Sequence, residues 1–323
     1  MMRTATKIWL VVGVSLILLG AIIFATVMAI LKWDFMKFGT EKIQTSSHEI
    51  AEDFNNISIH AKEADIAFLI SEDESCKVVC YEKENAKHTV SVTDGTLNVH
   101  MADTRKWYNY IGVFSLGNPM ITVYLPRAEY ETLEIIGSTG DVGIPKEFAF
   151  ESADISVSTG NISCHASASG DIKIKTSTGN ICIESISAGS LDLSVSTGKV
   201  TLSNARCEGD VKISVSTGKA NLSDVACQSL TSNGNTGDIS LNNVIAAQKL
   251  SIERSTGDVF LESCDAAEIF IETDTGDVDG SLLSDKVFIT ETDTGRVDVP
   301  DSITGGSCRI TTDTGNISMN IRP

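Results

Sequence analysis

Positive charge is scarce in this 323-residue chain. Its 25 Lys and Arg stand against 43 Asp and Glu, for a formal net charge of −18 at pH 7. Such a surface repels a phosphate backbone, which argues against a nucleic-acid partner. It also disfavours lying flat on an anionic membrane, and it mainly confers solubility. Aromatic residues make up only 6% of the chain. Outside the N-terminal apolar run they cluster in one stretch, Asp103 to Pro119, which holds Trp107, Tyr108, Tyr110 and Phe114. No Cys-x-x-Cys or Cys/His spacing points to zinc. Long loops that could wall a catalytic groove are missing after residue 130. A polysaccharide lyase or hydrolase needs paired carboxylates or a base within such walls. That enzymatic alternative therefore has little support, and the chain reads as a non-enzyme with no catalytic and no cofactor-binding residues.

What the chain repeats is a dipeptide. Thr-Gly recurs ten times at steps of 19 or 20 residues, with glycines at 140, 160, 179, 198, 218, 237, 257, 276, 295 and 315. A period this regular marks one structural unit stacked on itself. Two residues after each glycine the column is apolar, as at Val142, Ile162, Ile181, Val200, Val259 and Ile317. Four after, five before and seven before, the columns are again mostly apolar, with exceptions such as Gly280, Ser232 and Thr290. Apolar positions two apart within a copy are strand periodicity. Like residues then stack on like at about 4.8 Å per rung. The expected fold is all-β: a right-handed parallel β-helix of about ten such coils, plus irregular N-terminal coils, preceded by one transmembrane helix.

The Thr-Gly is expected to be the corner of each coil. A Ser, Asn or Asp precedes it, and such residues open turns while glycine takes the positive φ. Thr273, Thr292 and Thr312, together with Thr275, Thr294 and Thr314, share strand parity with Ile271 and Ile310 and are expected to face inward. The residue after each glycine varies in charge, from Asp141 through Lys199 and Lys219 to Asp277, Arg296 and Asn316. That stripe is where a partner would read the wall.

The uncharged run from Ile8 to Leu31 is long enough as a helix to cross a bilayer. It is too long for a signal peptide and lacks a small-residue cleavage site, so an uncleaved anchor is expected. The organisation that follows is a cytoplasmic tail at 1–7, an anchor at 8–31, a linker at 32–45, an N-terminal cap with irregular coils at 46–130 and a regular β-helix at 131–323. The expected setting is a bacterial cell membrane, single-pass, with the N-terminus cytoplasmic and the β-helix extracellular. The C-terminal coil, ending at Ile321 with Arg322 and Pro323, offers a strand edge for end-to-end self-association.

Two sets of residues are candidates for binding. The aromatic cluster Trp107, Tyr108, Tyr110 and Phe114 is a candidate contact loop for a protein or glycan partner. Asp274, Asp277, Asp293 and Asp313 crowd one corner of the late coils. Expected to stack on neighbouring rungs, they would repel one another by about 1 kcal/mol per pair even in water. A calcium ion would relieve this, because calcium takes carboxylate oxygens. Of the eight cysteines, Cys164, Cys264 and Cys308 fall in apolar columns. Cys207 and Cys227 fall on adjacent rungs within disulfide reach, and the spacing leaves their bridging open.

The S-T-G-D/N-I/V-x-I/L unit behind a single anchor resembles the bacterial putative-adhesin family of β-strand repeat proteins, domain of unknown function 4097. Further segments resemble that family's N-terminal part: "DFNNISI" at Asp53 to Ile59, "ADIAF" at Ala64 to Phe68 and "ITVYLP" at Ile121 to Pro126. The resemblance implies a β-helical ectodomain in the cell envelope, adhesive or scaffolding, with envelope-stress sensing as the alternative. It supplies no catalytic residues.

Overall fold

The computed structural model describes residues 4–30, 33, 43–83, 86–103 and 118–322. A helix spans Thr4–Ile30, and its Trp9–Ile30 portion is long and apolar enough to cross a membrane. Met28 is buried, but nearly all of that portion is exposed, so it is not a core helix. Among the described residues all other regular structure is strand, and the strands form one continuous solenoid.

The repeat columns become its core. From Val142 to Val278, and again at Ile317, every residue two after a motif glycine is buried. Neighbouring copies pair in parallel with motif on motif, as in Thr197↔Thr217, Gly198↔Gly218 and Val200↔Ala220. The glycines make this stacking possible. At Gly218, φ is +136° and an added Cβ would lie 1.7 Å from the carbonyl oxygen of Gly198. A second corner falls six residues after the glycine, where Ser185, Asn204, Asp224, Asn243 and Ser263 take φ between 51° and 59°. Short polar side chains tolerate this left-handed conformation best among non-glycine residues. The inward threonines are those three before the glycine. Thr273 and Thr312 are buried and donate to the carbonyls of Gly257 and Gly276. The threonines of the dipeptide itself, such as Thr275, Thr294 and Thr314, are exposed instead. The turn into the glycine rotates them out of strand parity.

Rung order departs from chain order at both ends. The strand Glu268 to Thr275 pairs not with the next copy but with Gly306–Thr314, which in turn pairs with Lys286–Thr294. The last rung of the chain is therefore inserted between the Gly276 and Gly295 rungs. Ile317–Ile321 lies between Val278–Leu282 and Val297–Asp298, so the free end of the stack is the Gly295 rung. Its Val297 is 40% exposed, whereas its counterparts from Val142 to Val278 and Ile317 are at most 3% exposed.

At the other end, Asn56–Glu63 and Asp65–Ile70 form a rung inserted between Thr96–Asp103/Met120–Leu125 and Glu129–Thr139/Val142–Ile144. Antiparallel strands then close the stack. Ala86–Thr93 pairs with Thr96–Asp103, and Cys76–Lys83 pairs with both Met120–Leu125 and Ile43–Ile50. Reversing direction gives the cap a different edge from the parallel body, as atypical terminal repeats of solenoids do.

Candidate functional site

A concavity lies on the outer wall of the N-terminal rungs. It is a groove of about 1040 Å³ bordered by Ser91 and Asp94 at the cap and by Asp171 and Lys173 on the third Thr-Gly rung. Its floor is built by strand alternation. Asn56 and Ser58 point outward from one strand, with His60 on the same face just beyond the groove, and Thr96, Asn98 and His100 stand opposite these three on its neighbour. On the other side, Thr132 and Glu134 stand opposite Asn56 and Ser58.

These side chains hold one another in place. Glu134 Oε2 accepts from Ser58 Oγ at 2.9 Å and contacts His60 Nε2 at 3.2 Å. The His60 and His100 rings meet edge to face with centroids 4.8 Å apart. His100 Nε2 lies 3.3 Å from Asn98 Oδ1, and Thr132 Oγ1 donates to Asn56 Oδ1 at 2.6 Å. Hydrogen bonds from Ser58 and His60 hold the Glu134 carboxyl below its usual range. Burial, then the neighbouring His60, holds the His100 imidazole below its own. Ser58 donates to the carboxylate rather than to an imidazole, so no histidine here is placed to take a serine proton. The arrangement offers a pre-ordered array of donors and acceptors.

A second polar cluster is buried in the cap. The Glu82 carboxylate accepts from Ser46 Oγ, from the His88 backbone N–H at 2.6 Å and lies 2.8 Å from His88 Nδ1. The Cys80 thiol is pushed up to about 12, by burial first and by the Glu82 charge second.

The four aspartates occupy two columns. Pairing of Thr275 with Thr314 and of Thr314 with Thr294 sets the order Asp274, Asp313, Asp293, all exposed. Asp293 therefore does not follow directly on Asp274, as the repeat order alone would place it. Asp277 stands in the next column and accepts from the Asn316 backbone N–H at 2.7 Å. Among the described residues these carboxylates do not converge on a common point; the one convergent group of ligand-type atoms is Cys80, Glu82 and His88. The contact residues Trp107, Tyr108, Tyr110 and Phe114 lie outside the described residues. All eight cysteines are free thiols, Cys207 and Cys227 among them.

The variable stripe after each glycine has a structural task. Asp65 Oδ1 accepts the Asp141 backbone N–H, Asp141 accepts that of Asn161, Asn161 that of Asn180, and Asn180 that of Lys199. The ladder resumes from Asp238 through Asp258, Asp277 and Asn316 to Arg296. Asp and Asn recur there because their short side chains reach the next rung's amide. The groove, by contrast, escaped the repeat analysis, since half of it comes from strands that lack the Thr-Gly motif. The available signal was His60 and His100 at outward parity on two adjacent strand-like segments.

No curated protein matches this chain. Several solved structures are similar to it at low TM-score. One, described as a putative lipid binding protein from Parabacteroides distasonis, is 17% identical, with 85% of this chain and 98% of that one covered and a TM-score of 0.46. Another from the same species, described as a putative adhesin, is 14% identical over 87% and 98%, with a TM-score of 0.47. A third, a putative cell adhesion protein from Clostridium sporogenes, is 11% identical over 87% and 100%, with a TM-score of 0.22. Likeness at these levels carries no argument about what this chain binds. The family described as Toastrack, DUF4097, matches residues 54–216 and 205–323, which together take in nearly all of the solenoid. The chain belongs to the Toastrack family, DUF4097.

Proposed function

We propose that this chain is a non-enzymatic, membrane-anchored cell-surface module that binds polar ligands by contact, in the manner of an adhesin. The helix Thr4–Ile30 serves as the single anchor, with the N-terminus cytoplasmic and the solenoid outside. The observation that carries the reading is the groove. Its carboxamides, hydroxyls, carboxylates and imidazoles are set on rigid strands and ordered by their own hydrogen bonds. Pre-ordered polar groups of this kind suit hydroxyl-rich ligands such as glycans, because little side-chain entropy remains to be lost on binding.

The test is glycan-array binding by the full chain in detergent micelles, beside Asn98→Ala, His100→Ala and Asp154→Ala variants. Selective binding that weakens about tenfold in the variants supports the reading. Absence of glycan binding, or binding indifferent to all three changes, overturns it. Protease shaving of whole cells tests the topology, since a solenoid resistant until the membrane is opened would place it inside.

A further inference from the structure

We propose that Cys80, Glu82 and His88 form a binding site for a single divalent transition-metal ion of the zinc type, inside the N-terminal cap. The site arises from strand alternation. Along Cys76–Lys83 the residues Cys76, Val78, Cys80 and Glu82 face inward, and along Ala86–Thr93 so do Ala86 and His88. A strand that only closes a hydrophobic stack needs apolar residues at these positions. Here it presents a thiol, a carboxylate and an imidazole that are 0%, 1% and 6% exposed. Burying such groups is costly unless each finds a partner.

The hydrogen bonds account for only part of the cluster. Glu82 accepts from Ser46 Oγ and from the His88 backbone N–H, and it lies against His88 Nδ1. His88 Nε2 is buried with no hydrogen-bond partner, and so is His48 Nε2. His48 is near: Ser46 stands opposite Cys80 and His48 opposite Val78, which puts His48 on the inner face beside Cys80. Two buried imidazole nitrogens in this part of the cap thus lack a hydrogen-bond partner, that of His88 on the ring edge away from its contact with Glu82.

The geometry fits an ion. One ligand atom each from Cys80, Glu82 and His88 lies within 4.8 Å of the other two. Around a tetrahedral zinc, with ligands at roughly 2.0 to 2.3 Å, neighbouring ligand atoms stand about 3.3 to 3.8 Å apart. Side-chain rotation of an ångström or so closes that difference. Sulfur, nitrogen and oxygen together select a borderline-soft ion over calcium or magnesium, which take oxygen alone. A thiolate and a carboxylate neutralise a divalent cation, and His88 adds a neutral nitrogen. Ser46 then acts from outside the ligand set, orienting Glu82 through its second oxygen. Sequence spacing conceals such a site, because strand pairing rather than a Cys-x-x-Cys loop brings the groups together.

The test uses the full chain in detergent micelles, stripped with a chelator and titrated with cobalt(II) as the spectroscopic probe. The expected result is a thiolate-to-cobalt charge-transfer band with intense tetrahedral visible bands, saturating at about one equivalent. Zinc should displace cobalt and raise the melting temperature. Cys80→Ser should abolish the charge-transfer band, Cys227→Ser should leave it, and His88→Gln should weaken affinity by about tenfold or more. Circular dichroism of the chelated variants guards against loss of fold. No thiolate–cobalt band in the unmodified chain overturns the proposal, and so does a band that survives in Cys80→Ser.

Discussion

The guanidinium of Arg254 occupies the space that Gly234 leaves empty. A Cβ at position 234 would fall 1.8 Å from Arg254 Nη1 and 2.3 Å from the Val215 carbonyl oxygen. Arg254, 3% exposed, donates to that carbonyl at 3.3 Å and to Ser232 Oγ at 3.1 Å, while its Nε finds no partner. Val157, Val195 and Val215 hold the same column in other rungs. Gly234→Ala is therefore expected to destabilise by about 3 kcal/mol through overpacking. Arg254→Met keeps the reach and removes a buried charge, so it should hold or raise the unfolding midpoint in urea. A clear loss of stability in Arg254→Met would show that the charge itself is needed.

The displaced rung is tied down by a largely buried ion pair. Lys286 Nζ lies 2.6 Å from Asp265 Oδ1, with side chains 4% and 22% exposed, and also donates to Ser284. Removing one partner of such a pair costs about 3 kcal/mol, since the other is left behind. Lys286→Met should raise amide hydrogen exchange across 286–299 and leave the Gly198 and Gly218 rungs protected. Uniform exchange along the whole solenoid would refute this local role.

The side-chain ladder along the wall predicts a position-specific cost. Asn161→Ala removes the acceptor for the Asn180 amide and the donor to Asp141. Because the site is exposed, water replaces part of the loss, and about 1 kcal/mol is expected. Lys212→Ala, an exposed change outside the ladder, should stay within about 0.5 kcal/mol of the parent. Urea denaturation of the two variants makes the comparison.

Acid should weaken the groove. The His100 imidazole lies below its ordinary 6.5 because of burial and then His60, partly opposed by Glu134. The unfolded chain therefore takes up this proton before the folded chain does. That stabilisation is complete above 6.5 and is lost as pH falls through the lower folded-state value. Glu134, held below 4.5 by Ser58 and His60, adds a loss of the same sign at lower pH. Thermal melting followed from neutral to acidic pH should show the first loss shrink in His100→Gln and the second remain. An unchanged acid profile in that variant would exclude His100 as the source.

The columns of Val, Ile and Leu around the Thr-Gly were legible because every coil obeys the same two constraints, strand alternation and a corner glycine. Val200 and Leu202 could be assigned to the core from sequence and lie there fully buried. Rung order at the ends was not legible. A column records what each copy offers to its neighbours, and Ile310 fits against Ile271 as well as Thr290 would. The ladder of Asp and Asn looks in sequence like a surface for partners because its donors are backbone amides, which sequence does not display. Glu82 and His88 are hidden for a similar reason, since their meeting depends on antiparallel pairing inside the cap. The clue was the carboxylate at an inward position of Cys76–Lys83.

The two inserted rungs also govern how such a protein changes length. The Gly295 rung rests on the rung that follows it in the chain, and the rung at Asn56–Ile70 is held between two that follow it. A copy gained or lost at either extremity would break these interlocked partners. Between the Gly140 and Gly257 rungs, every copy meets only its predecessor and its successor. Duplication there adds about 4.8 Å of arm and leaves both ends intact. The repeat array can lengthen without disturbing either end, with the groove fixed at one extremity and the Gly295 rung carried farther from it by each added repeat.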